Sequence, residues 1–339
     1  MPQPPKFLFL DTNLQCNLKC KHCMYWTRPE IALPTHITIE RRAEIIDEFS
    51  QLNPSGTVVI CGGESMMNPD RYYAISRQCR QLGLKCFSVV NGTMITTPED
   101  AEKMILEGAS EVTISLNSHI KSVHDYTRGM DGSFEFATNA IKLLLEARDK
   151  LGKTTPIYAM AVICELNYKE LDGFYDYVLN ELKADKLKLN FLQPTFGTLD
   201  SMKLNDKFYR NNIITDYDEL VRVIKYCDEK YNLNLNPDYI DVVKLYHRSV
   251  NTNGDAALGW GGKGTEKPIC NSYERNIMVD MNGMARLCFS TGFPGTQLTK
   301  FGDLDQFWYG TDPLRKRMST CTQYCGISHS VRRLSATLK

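Results

Sequence analysis

Short runs of apolar and β-branched residues alternate with amphipathic stretches from Phe7 to Leu192. The runs predict strands at Phe7–Leu14, Val58–Cys61, Lys85–Val90, Glu111–Leu116, Pro156–Glu165 and Lys186–Leu192. The amphipathic stretches predict helices near Ile39–Leu52, Pro69–Leu82, Pro98–Glu107, Ser133–Leu151 and Tyr168–Leu182. Strands that alternate with helices indicate βαβ units in a parallel sheet. The predicted fold class is therefore α/β, with six strands in a partial (β/α)6 barrel rather than a closed eightfold barrel.

The alternation stops after Thr198. Helical patterns follow at Tyr217–Tyr231 and Pro237–Ser249, and a glycine-rich loop covers residues 259–264. That loop lacks the preceding strand and the Lys-Ser/Thr ending of a phosphate-binding P-loop, so we interpret it as a mobile loop or a lid.

A hairpin is predicted near the end of the chain, because two apolar runs flank Asn282-Gly283. The runs are Asn276–Asp280 and Met284–Cys288, and a helical stretch, interrupted near Gly310–Pro313, follows at Asp303–Met318. We therefore divide the chain into a core barrel at 1–200, a helical and loop connector at 201–267, and a small separate unit at 268–339.

Composition narrows the class of protein. Lys plus Arg and Asp plus Glu are 40 each among 339 residues, so the net charge is zero. This balance gives no support for nucleic acid or a membrane surface as a partner. The N-terminal apolar run is too short for a secretion signal or a bilayer span, so a cytoplasmic location is expected. Twelve cysteines in a reducing compartment favour a metal or cluster site over disulfides.

Three cysteines, Cys16, Cys20 and Cys23, follow the first predicted strand within eight residues. To bind one centre they must curl around it as a loop, and polar Asn17, Lys19 and Lys21 suit a loop. A closed zinc or cluster site needs four protein ligands. Three thiolates on a four-iron cluster leave one iron open for an outside ligand, as a catalytic cluster requires. A zinc knuckle or an inert cluster remains the alternative.

The C-x3-C-x2-C pattern after a first strand resembles the radical S-adenosylmethionine enzymes, and further motifs occur in the family's order. Gly62-Gly63-Glu64 follows the second strand and resembles the turn that binds the methionine amino group of the cofactor. Asn91 ends the third strand. Ser115 and Asn117 resemble the ribose-contacting position, with Asn117 where the family has Asp. The segment from His124 to Gly129 resembles H-D-x-x-R-G, in which Arg128 reaches the cofactor carboxylate.

The last four cysteines carry a second resemblance. Cys270, Cys288, Cys321 and Cys325, with Gly283 between the first two, resemble the family's C-terminal auxiliary-cluster extension, in the short Twitch form rather than the longer SPASM form. Four thiolates suffice for one fully ligated [4Fe-4S] cluster. Structural zinc is the alternative, since it also accepts four thiolates.

The resemblance implies a chemistry and partners. A [4Fe-4S] cluster on the first three cysteines would reductively cleave S-adenosylmethionine to a 5′-deoxyadenosyl radical, and the auxiliary cluster would assist a net oxidation. The reductant would be a flavodoxin or ferredoxin. The substrate would be a peptide that receives a cross-link or a thioether, or a sugar-like small molecule that is dehydrogenated. A separate peptide-recognition protein is a further candidate partner.

The alternatives are an epimerase with a cysteine hydrogen donor and a non-catalytic iron–sulfur electron carrier. Cys61, beside the cofactor turn, and Tyr25 are the candidate catalytic residues. Cys164 is a second thiol to consider. Asn190, Gln193 and Arg286 are candidates for the pocket lining.

Overall fold

The structure, a computed structural model, describes residues 2–23, 37–192, 207–237, 239–241, 243–244, 271–288 and 293–320. Its strands are β1 Phe7–Asn13, β2 Thr57–Gly62, β3 Lys85–Val90, β4 Glu111–Ser115, β5 Ile157–Ile163, β6 Lys186–Phe191, β7 Asn276–Val279, β8 Met284–Arg286 and β9 Thr296–Gln297. Its α-helices are α1 Ile39–Leu52, α2 Pro69–Gln81, α3 Pro98–Glu107, α4 Lys121–Arg128, α5 Ser133–Lys150, α6 Leu171–Asp176, α7 Lys207–Asn212, α8 Tyr217–Tyr231, α9 Asp303–Gly310 and α10 Asp312–Met318.

All nine described strands lie in one sheet, in the order β6-β5-β4-β3-β2-β1-β7-β8-β9. Neighbouring strands from β6 to β7 pair in parallel, and β8 and β9 add two antiparallel pairings. The sheet is open, and the predicted α/β class with a partial barrel is confirmed. The register of β1 against β2 shifts between Asp11 and Asn13. Such irregularities re-aim side chains next to functional sites, and the three cysteines begin just beyond this one.

The two faces of the sheet have different partners. Leu8, Leu10, Val58 and Ile60 point to the face that packs against the helices, in one large core. A second, smaller cluster lies on the opposite face, which we call the inner face. It consists of Phe7, Phe9, Val59, Cys61, Phe87 and Met278. Successive side chains of a strand point to opposite faces of the sheet. Every second residue at the end of each strand therefore lies on the inner face.

Most predicted elements appear within a residue or two of their expected bounds. The Tyr168–Leu182 pattern is the exception, because it divides into a 3-10 turn at Tyr168–Glu170, α6, and a π-helical turn at Tyr177–Glu181. The Leu182 N–H donates to Tyr177 O at 2.8 Å, which widens the last turn before the chain enters β6. Most of the predicted Pro237–Ser249 helix and the whole glycine-rich loop lie outside the described residues.

The C-terminal hairpin, predicted as a small separate unit, extends the main sheet. Phe7 to Leu10 of β1 pair with Asn276 to Val279 of β7. The interruption predicted near Gly310–Pro313 is present, because α9 ends at Gly310 and α10 begins at Asp312. Within the part of the chain that is described, the helices are all too short or too polar to cross a bilayer.

Candidate active site at the carboxyl edge of the sheet

The three clustered cysteines lie on the loop that leaves β1 at the carboxyl edge of the sheet. Cys20 is buried, and Cys16 and Cys23 are partly exposed. The loop turns back on itself, because the Cys23 N–H donates to Cys20 O at 3.1 Å and the Leu18 N–H points to Cys16 Sγ at 3.5 Å. Burial raises the pKa of the Cys16 thiol, and the neighbouring Cys20 adds to this. A bound cation would reverse this effect, because a coordinated thiol is deprotonated.

Within the described ranges, no three His, Cys, Asp or Glu side chains converge as ligands of a single metal ion would. The ligands of a [4Fe-4S] cluster bind different iron atoms, so they need one loop around a space rather than one point. Cys16, Cys20 and Cys23 all lie on one loop, and this all-thiol donor set suits iron–sulfur chemistry.

The glycine turn after β2 packs directly on this loop. A Cβ on Gly62 would lie 2.3 Å from Asn13 O, and one on Gly63 would lie 2.2 Å from Gln15 O. Gly62 also has a φ of +123°, which other residues rarely adopt. The Gly63 N–H donates to Asn13 O, and the Glu64 N–H donates to Gln15 O at 2.8 Å. Glycine is therefore required here because the turn and the cysteine loop touch backbone to backbone.

The Glu64 carboxylate is held by the protein itself. One oxygen accepts from the Met66 N–H at 3.0 Å and the other from the Asn91 N–H at 2.7 Å. Burial raises the pKa of Glu64 to about 6, against the opposing effect of those two hydrogen bonds and of Arg128. The side chain thus ties the ends of β2 and β3 together, and the backbone of the turn is the part that faces the cysteine loop.

The end of β3 supports the loop from a second side. The Asn91 amide donates to Asn17 Oδ1 at 2.8 Å, and the Asn17 amide donates to Thr93 Oγ1 at 2.8 Å. Asn91 Oδ1 in turn accepts from the Thr93 N–H at 2.9 Å. Asn91, predicted as a cofactor contact, is therefore placed at the site, with its amide bound to the cysteine loop.

Helix α4 supports the loop from a third side. The Lys21 N–H donates to Thr127 O at 2.9 Å. Gly129 ends the helix with a φ of +68°, and a Cβ there would lie 2.1 Å from Lys19 O. Helices often end on such a left-handed glycine. Here it also lets the helix end meet the cysteine loop.

Arg128 is the last residue of α4 and lies beneath the loop. Its side chain is buried, at 8% exposure, and its Nε has no hydrogen-bond partner among the described residues. Its positive charge acts to lower the pKa of Cys16, Glu64 and His22. Burial is the larger influence on each group, and it raises the pKa of Cys16 and Glu64 but lowers that of His22. Buried guanidinium groups are normally paired, so the unpartnered Nε–H of Arg128, whose charge acts on Cys16, fits an anionic ligand such as a carboxylate.

Ser115 and Asn117, the predicted ribose contacts, end in different surroundings. Ser115 closes β4 on the inner face and is partly exposed. Asn117 is buried, and its amide donates to Thr127 Oγ1 at 3.0 Å and accepts from the Val162 N–H at 3.1 Å. Asn117 therefore joins the ends of β4, β5 and α4, which leaves Ser115 as the more accessible of the two.

Cys61 lies on the inner face, next to the glycine turn. Its thiol donates to Asp11 Oδ1 at 3.5 Å, and burial together with the Asp11 charge raises its pKa well above the usual range. The thiol is therefore protonated at neutral pH. Cys164, the second thiol considered, is buried in the large core on the helix side and not on the inner face.

The remaining predicted site residues lie in the tail, in β6 and in the undescribed segments. Cys288 is buried just after β8. Arg286 pairs with Asp280 at 2.8 Å and lines a cavity of about 450 Å³, which Asn282, Met284 and Gln297 also line. Asn190 donates to Met160 Sδ at 3.1 Å. Tyr25, Gln193, Cys270, Cys321 and Cys325 lie outside the described residues.

Two supporting residues had no predicted role, although both belong to recognised segments. Asn13 donates to Glu64 O at 2.8 Å and so binds the end of β1 to the glycine turn. Asp125 accepts from the N–H groups of Gly132 and Phe134 at 3.0 and 2.8 Å, which fixes the turn between α4 and α5. In the sequence, Asn13 could be recognised as a polar residue at the end of a strand. Asp125 could be recognised as an acid that precedes the Gly-Ser start of a helix.

Comparison with known proteins agrees with this geometry. The sequence profile of the radical SAM superfamily matches residues 12–178. An AdoMet-dependent heme synthase of Methanosarcina barkeri is 27% identical over 58% of this chain and 53% of its own length. The antilisterial bacteriocin subtilosin biosynthesis protein AlbA of Bacillus subtilis is 34% identical over 66% of this chain and 49% of its own. The chain thus spans about half the length of these curated relatives.

Solved structures share the fold. Streptococcus suis SuiB bound to its precursor peptide SuiA superposes with a TM-score of 0.64, at 18% identity, over 94% of this chain and 67% of SuiB. The matched profile spans the cysteine loop, the glycine turn and Arg128, which are the parts that the structure brings together. Residues 12–178 are therefore a radical SAM domain.

Proposed function

We propose that this chain is a radical SAM enzyme in which Cys16, Cys20 and Cys23 hold a [4Fe-4S] cluster. When bound, the reduced cluster and S-adenosylmethionine supply methionine and a 5′-deoxyadenosyl radical that takes a hydrogen atom from the substrate. The single observation that supports this most strongly is the convergence of the cysteine loop with the glycine turn and with α4, whose last residue, Arg128, has an unpartnered Nε–H among the described residues.

The protein groups have distinct tasks in this proposal. The three cysteines hold the cluster, and the backbone of Gly62 and Gly63 meets the cysteine loop where the cofactor ammonium group would lie. Arg128 binds the cofactor carboxylate, because its planar fork donates two parallel hydrogen bonds. Ser115 contacts the ribose. Glu64, Asn91 and Asn117 keep the strand ends in register and so hold the other groups in place.

The test is formation of 5′-deoxyadenosine. The anaerobically reconstituted protein is reduced with dithionite in the presence of S-adenosylmethionine, and the nucleoside is quantified by chromatography. We expect product from the natural sequence and none from Cys20→Ala. Cys227→Ala is the control and should also give product, because Cys227 is a buried thiol on α8 that lies far from the cysteine loop in sequence. Background levels from the natural sequence would refute the proposal.

Binding of the cofactor carboxylate is tested separately through Arg128→Lys. Lysine keeps the charge but loses the fork, so we expect affinity for S-adenosylmethionine to fall about tenfold, roughly 1.4 kcal/mol. Titration calorimetry on the cluster-loaded protein measures it, and Lys121→Arg at the other end of α4 is the control. An unchanged dissociation constant would remove Arg128 from the cofactor site.

The tail is proposed to hold an auxiliary [4Fe-4S] cluster through Cys270, Cys288, Cys321 and Cys325. Its support is the cysteine pattern together with the burial of Cys288 beside the sheet. Iron and sulfide analysis decides between this and zinc. We expect Cys288→Ala to lose about four iron atoms and four sulfides per chain. Full retention of iron with loss of zinc would assign the tail to structural zinc.

A peptide is the favoured substrate class, with a net oxidation such as a cross-link. The support is likeness in sequence to AlbA, a bacteriocin biosynthesis protein, and in fold to SuiB, which is seen with a precursor peptide. A short precursor encoded beside this chain would be co-expressed with it and analysed by mass spectrometry. Loss of two hydrogen atoms supports a cross-link, whereas no change with every neighbouring peptide favours a small-molecule dehydrogenation.

Epimerisation is a second candidate, favoured by the protonated thiol of Cys61 on the inner face. A thiol there would give its hydrogen atom to the substrate radical, and the thiyl radical left on Cys61 would return to the thiol by taking one electron from the external reductant and one proton. In deuterium oxide the thiol exchanges, so an epimerised product would carry one deuterium and Cys61→Ala would abolish it. A product that loses two hydrogen atoms and gains no deuterium would exclude this reaction.

A further inference from the structure

The turn of the C-terminal hairpin borders a cavity of about 450 Å³, which we call the hairpin cavity. Five residues line it: Asp280, Asn282, Met284, Arg286 and Gln297. Strand β7 runs parallel to β1, so the turn that follows β7 lies at the carboxyl edge of the sheet. The cysteine loop leaves β1 at the same edge. The hairpin cavity and the candidate active site therefore share one edge of the sheet.

The strand register places the hairpin cavity on the inner face. Arg286 of β8 pairs with Met278 of β7, and Met278 pairs with Phe9 of β1. Phe9 and Met278 both belong to the inner-face cluster. Met284 lies two residues before Arg286 and so points to the same face, as does its cross-strand partner Gln297. The side chains of the cavity therefore lie on the face of the sheet that carries this cluster.

Arg286 is held in the cavity by one end of its guanidinium group. Its Nη1 donates to Asp280 Oδ2 at 2.8 Å, and this is its only hydrogen bond within the described ranges. The Asp280 carboxylate is itself fixed, because its other oxygen accepts from the N–H groups of Asn282 and Met284 at 2.9 and 3.0 Å. A guanidinium group has five N–H donors in a planar fork. Most of the donors of Arg286 therefore meet no described acceptor.

The charged groups beside the cavity carry a positive excess. Arg42 donates to Asp11 O at 2.7 Å, next to the turn. Burial and then the neighbouring Arg71 lower the pKa of Arg42 to about 10, whereas the charges of Asp11 and Asp280 act to raise it. Arg71 and both aspartates therefore lie near the Arg42 guanidinium. Together with Arg286, three cations face two carboxylates, so one further carboxylate would balance the charge.

We propose that the hairpin cavity is a carboxylate subsite, in which Arg286, oriented by Asp280, binds a carboxylate group of the substrate peptide. The inference rests on the proposed function, which supplies the peptide as the substrate class. A carboxylate matches the planar fork of arginine because its two oxygens accept two parallel hydrogen bonds. The carboxylate belongs either to an acidic side chain or to the C-terminus of the peptide.

The cavity is within reach of the site beside the glycine turn. Leu10 pairs with Val279, so the next residues, Asp11 and Asp280, are neighbours at the ends of β1 and β7. On β2, Cys61 Sγ lies 3.5 Å from Asp11 Oδ1. Strands lie about 4.8 Å apart, so β8 and β2 are about 14 Å apart across the sheet. An extended peptide covers that distance in about four or five residues. A bound carboxylate thus places the reacting residue within about five positions of it.

The test compares acidic peptides with their amides. One pair of probes is the tripeptide Gly-Glu-Gly, capped at both ends, and its Gln counterpart. The other pair is acetylated Gly-Gly-Gly with a free or an amidated C-terminus. Saturation-transfer NMR on the anaerobically reconstituted full chain gives the dissociation constants without turnover. We expect at least one acid to bind tenfold more tightly than its amide, about 1.4 kcal/mol. The pair that shows the difference identifies the source of the carboxylate.

Arg286→Gln should abolish the preference for the acid, because it removes the fork and its charge. Arg222→Gln is the matched control, since Arg222 forms a 2.6 Å ion pair with Glu219 on α8. It should keep the full preference. If Arg286→Gln does not show a cooperative unfolding transition, Arg286→Lys replaces it. Lysine keeps the charge but loses the fork, so we expect the affinity for the acid to fall about threefold.

Two results would overturn the carboxylate subsite. One is equal affinity of the natural sequence for each acid and its amide, and the other is a preference for the acid that persists unchanged in the folded Arg286 variant. These binding constants are independent of radical chemistry. If the reconstituted protein forms no 5′-deoxyadenosine, the proposed function fails, and the acid preference of the natural sequence still decides whether the cavity binds a carboxylate.

Discussion

The two cysteine-bearing regions of this chain are built in different ways. The first keeps its three cysteines within one loop. Backbone contacts from the ends of β2 and α4 support that loop, and side-chain hydrogen bonds support it from the end of β3. The second spreads four cysteines from position 270 to position 325, around a hairpin that pairs edge to edge with β1. The cysteines of the first region are neighbours in sequence, whereas the described hairpin of the second region depends on a long-range pairing with β1.

The hairpin region is anchored to the barrel by buried charged residues of α1. Arg41 donates to Lys300 O at 2.7 Å, and Glu48 accepts from the Leu304 N–H at 2.8 Å. Arg42 donates to Asp11 O at 2.7 Å and to Met281 O at 3.4 Å, so one guanidinium joins β1 to the hairpin. Substitutions in the tail are therefore expected to lower the free energy of unfolding. Substitutions at the cysteine loop are expected to lower the formation of 5′-deoxyadenosine.

The largest effect is expected from a single methyl group at the glycine turn. Gly63→Ala places a Cβ against Gln15 O, and neither backbone can yield without moving the cysteine loop. We expect iron binding at the first site and 5′-deoxyadenosine formation to fall more than tenfold, over 1.4 kcal/mol. Gly283→Ala is the comparison, because Gly283 has a φ of +82° and its Cβ would meet the side chains of Ile37 and Gln297 rather than the cysteine loop. It should cost stability of about 1 kcal/mol and leave cleavage intact.

Equal loss of cleavage in both glycine variants would show that the two regions are not built differently. Iron analysis and urea unfolding on the same preparations separate a misfolded protein from an intact one with an empty loop.

The next effect concerns the anchor of the tail. Trp308 is fully buried on α9, donates to Gln3 O at 3.0 Å, and has the Arg315 guanidinium 4.3 Å from its ring centre. We expect Trp308→Ala to lower the free energy of unfolding by about 3–5 kcal/mol. Phe301→Ala, at a ring that is 51% exposed, should change it by about 0.5 kcal/mol or less. Similar losses in the two variants would mean that the tail is not packed through Trp308.

Much of this architecture could be predicted from local pattern. Apolar alternation gave strand and helix bounds such as those of β3 and α3, and parallel strands bring Cys20, Gly63 and Arg128 to one edge because their carboxyl ends meet there. These features depend on neighbours in sequence and on one topological rule.

The remainder depends on pairings that no local pattern carries. The join between β1 and β7 links residues about 270 positions apart. The buried state of Arg42 follows from that join, because its partners include Met281. The resemblance assigns the turn of Gly62 to Glu64 to the cofactor ammonium group. The bond from the Asn91 N–H to the Glu64 carboxylate can be identified only once β2 and β3 lie side by side.

The smallest expected effect is the pH dependence of the free energy of unfolding that Asp125 causes. Asp125 supports the α4–α5 turn behind Arg128, and its pKa is lowered to about 2. Burial alone would raise that pKa, but the Lys121 ammonium and the N–H groups of Phe134 and Gly132 outweigh it. A carboxyl group with a depressed folded-state pKa contributes stability above its unfolded value of about 3.9, and that contribution is lost as the pH falls toward 2.

Asp125→Asn should therefore cost about 2 kcal/mol of unfolding free energy between pH 5 and 7. The difference from the natural sequence should shrink below pH 4, as the unfolded chain takes up the proton first. Urea titrations at pH 7, 5 and 3.5 measure it. Glu135→Gln removes an exposed partner of the same Lys121 and should leave stability unchanged. A difference that stays constant down to pH 3.5 would show that Asp125 acts by shape and not by charge.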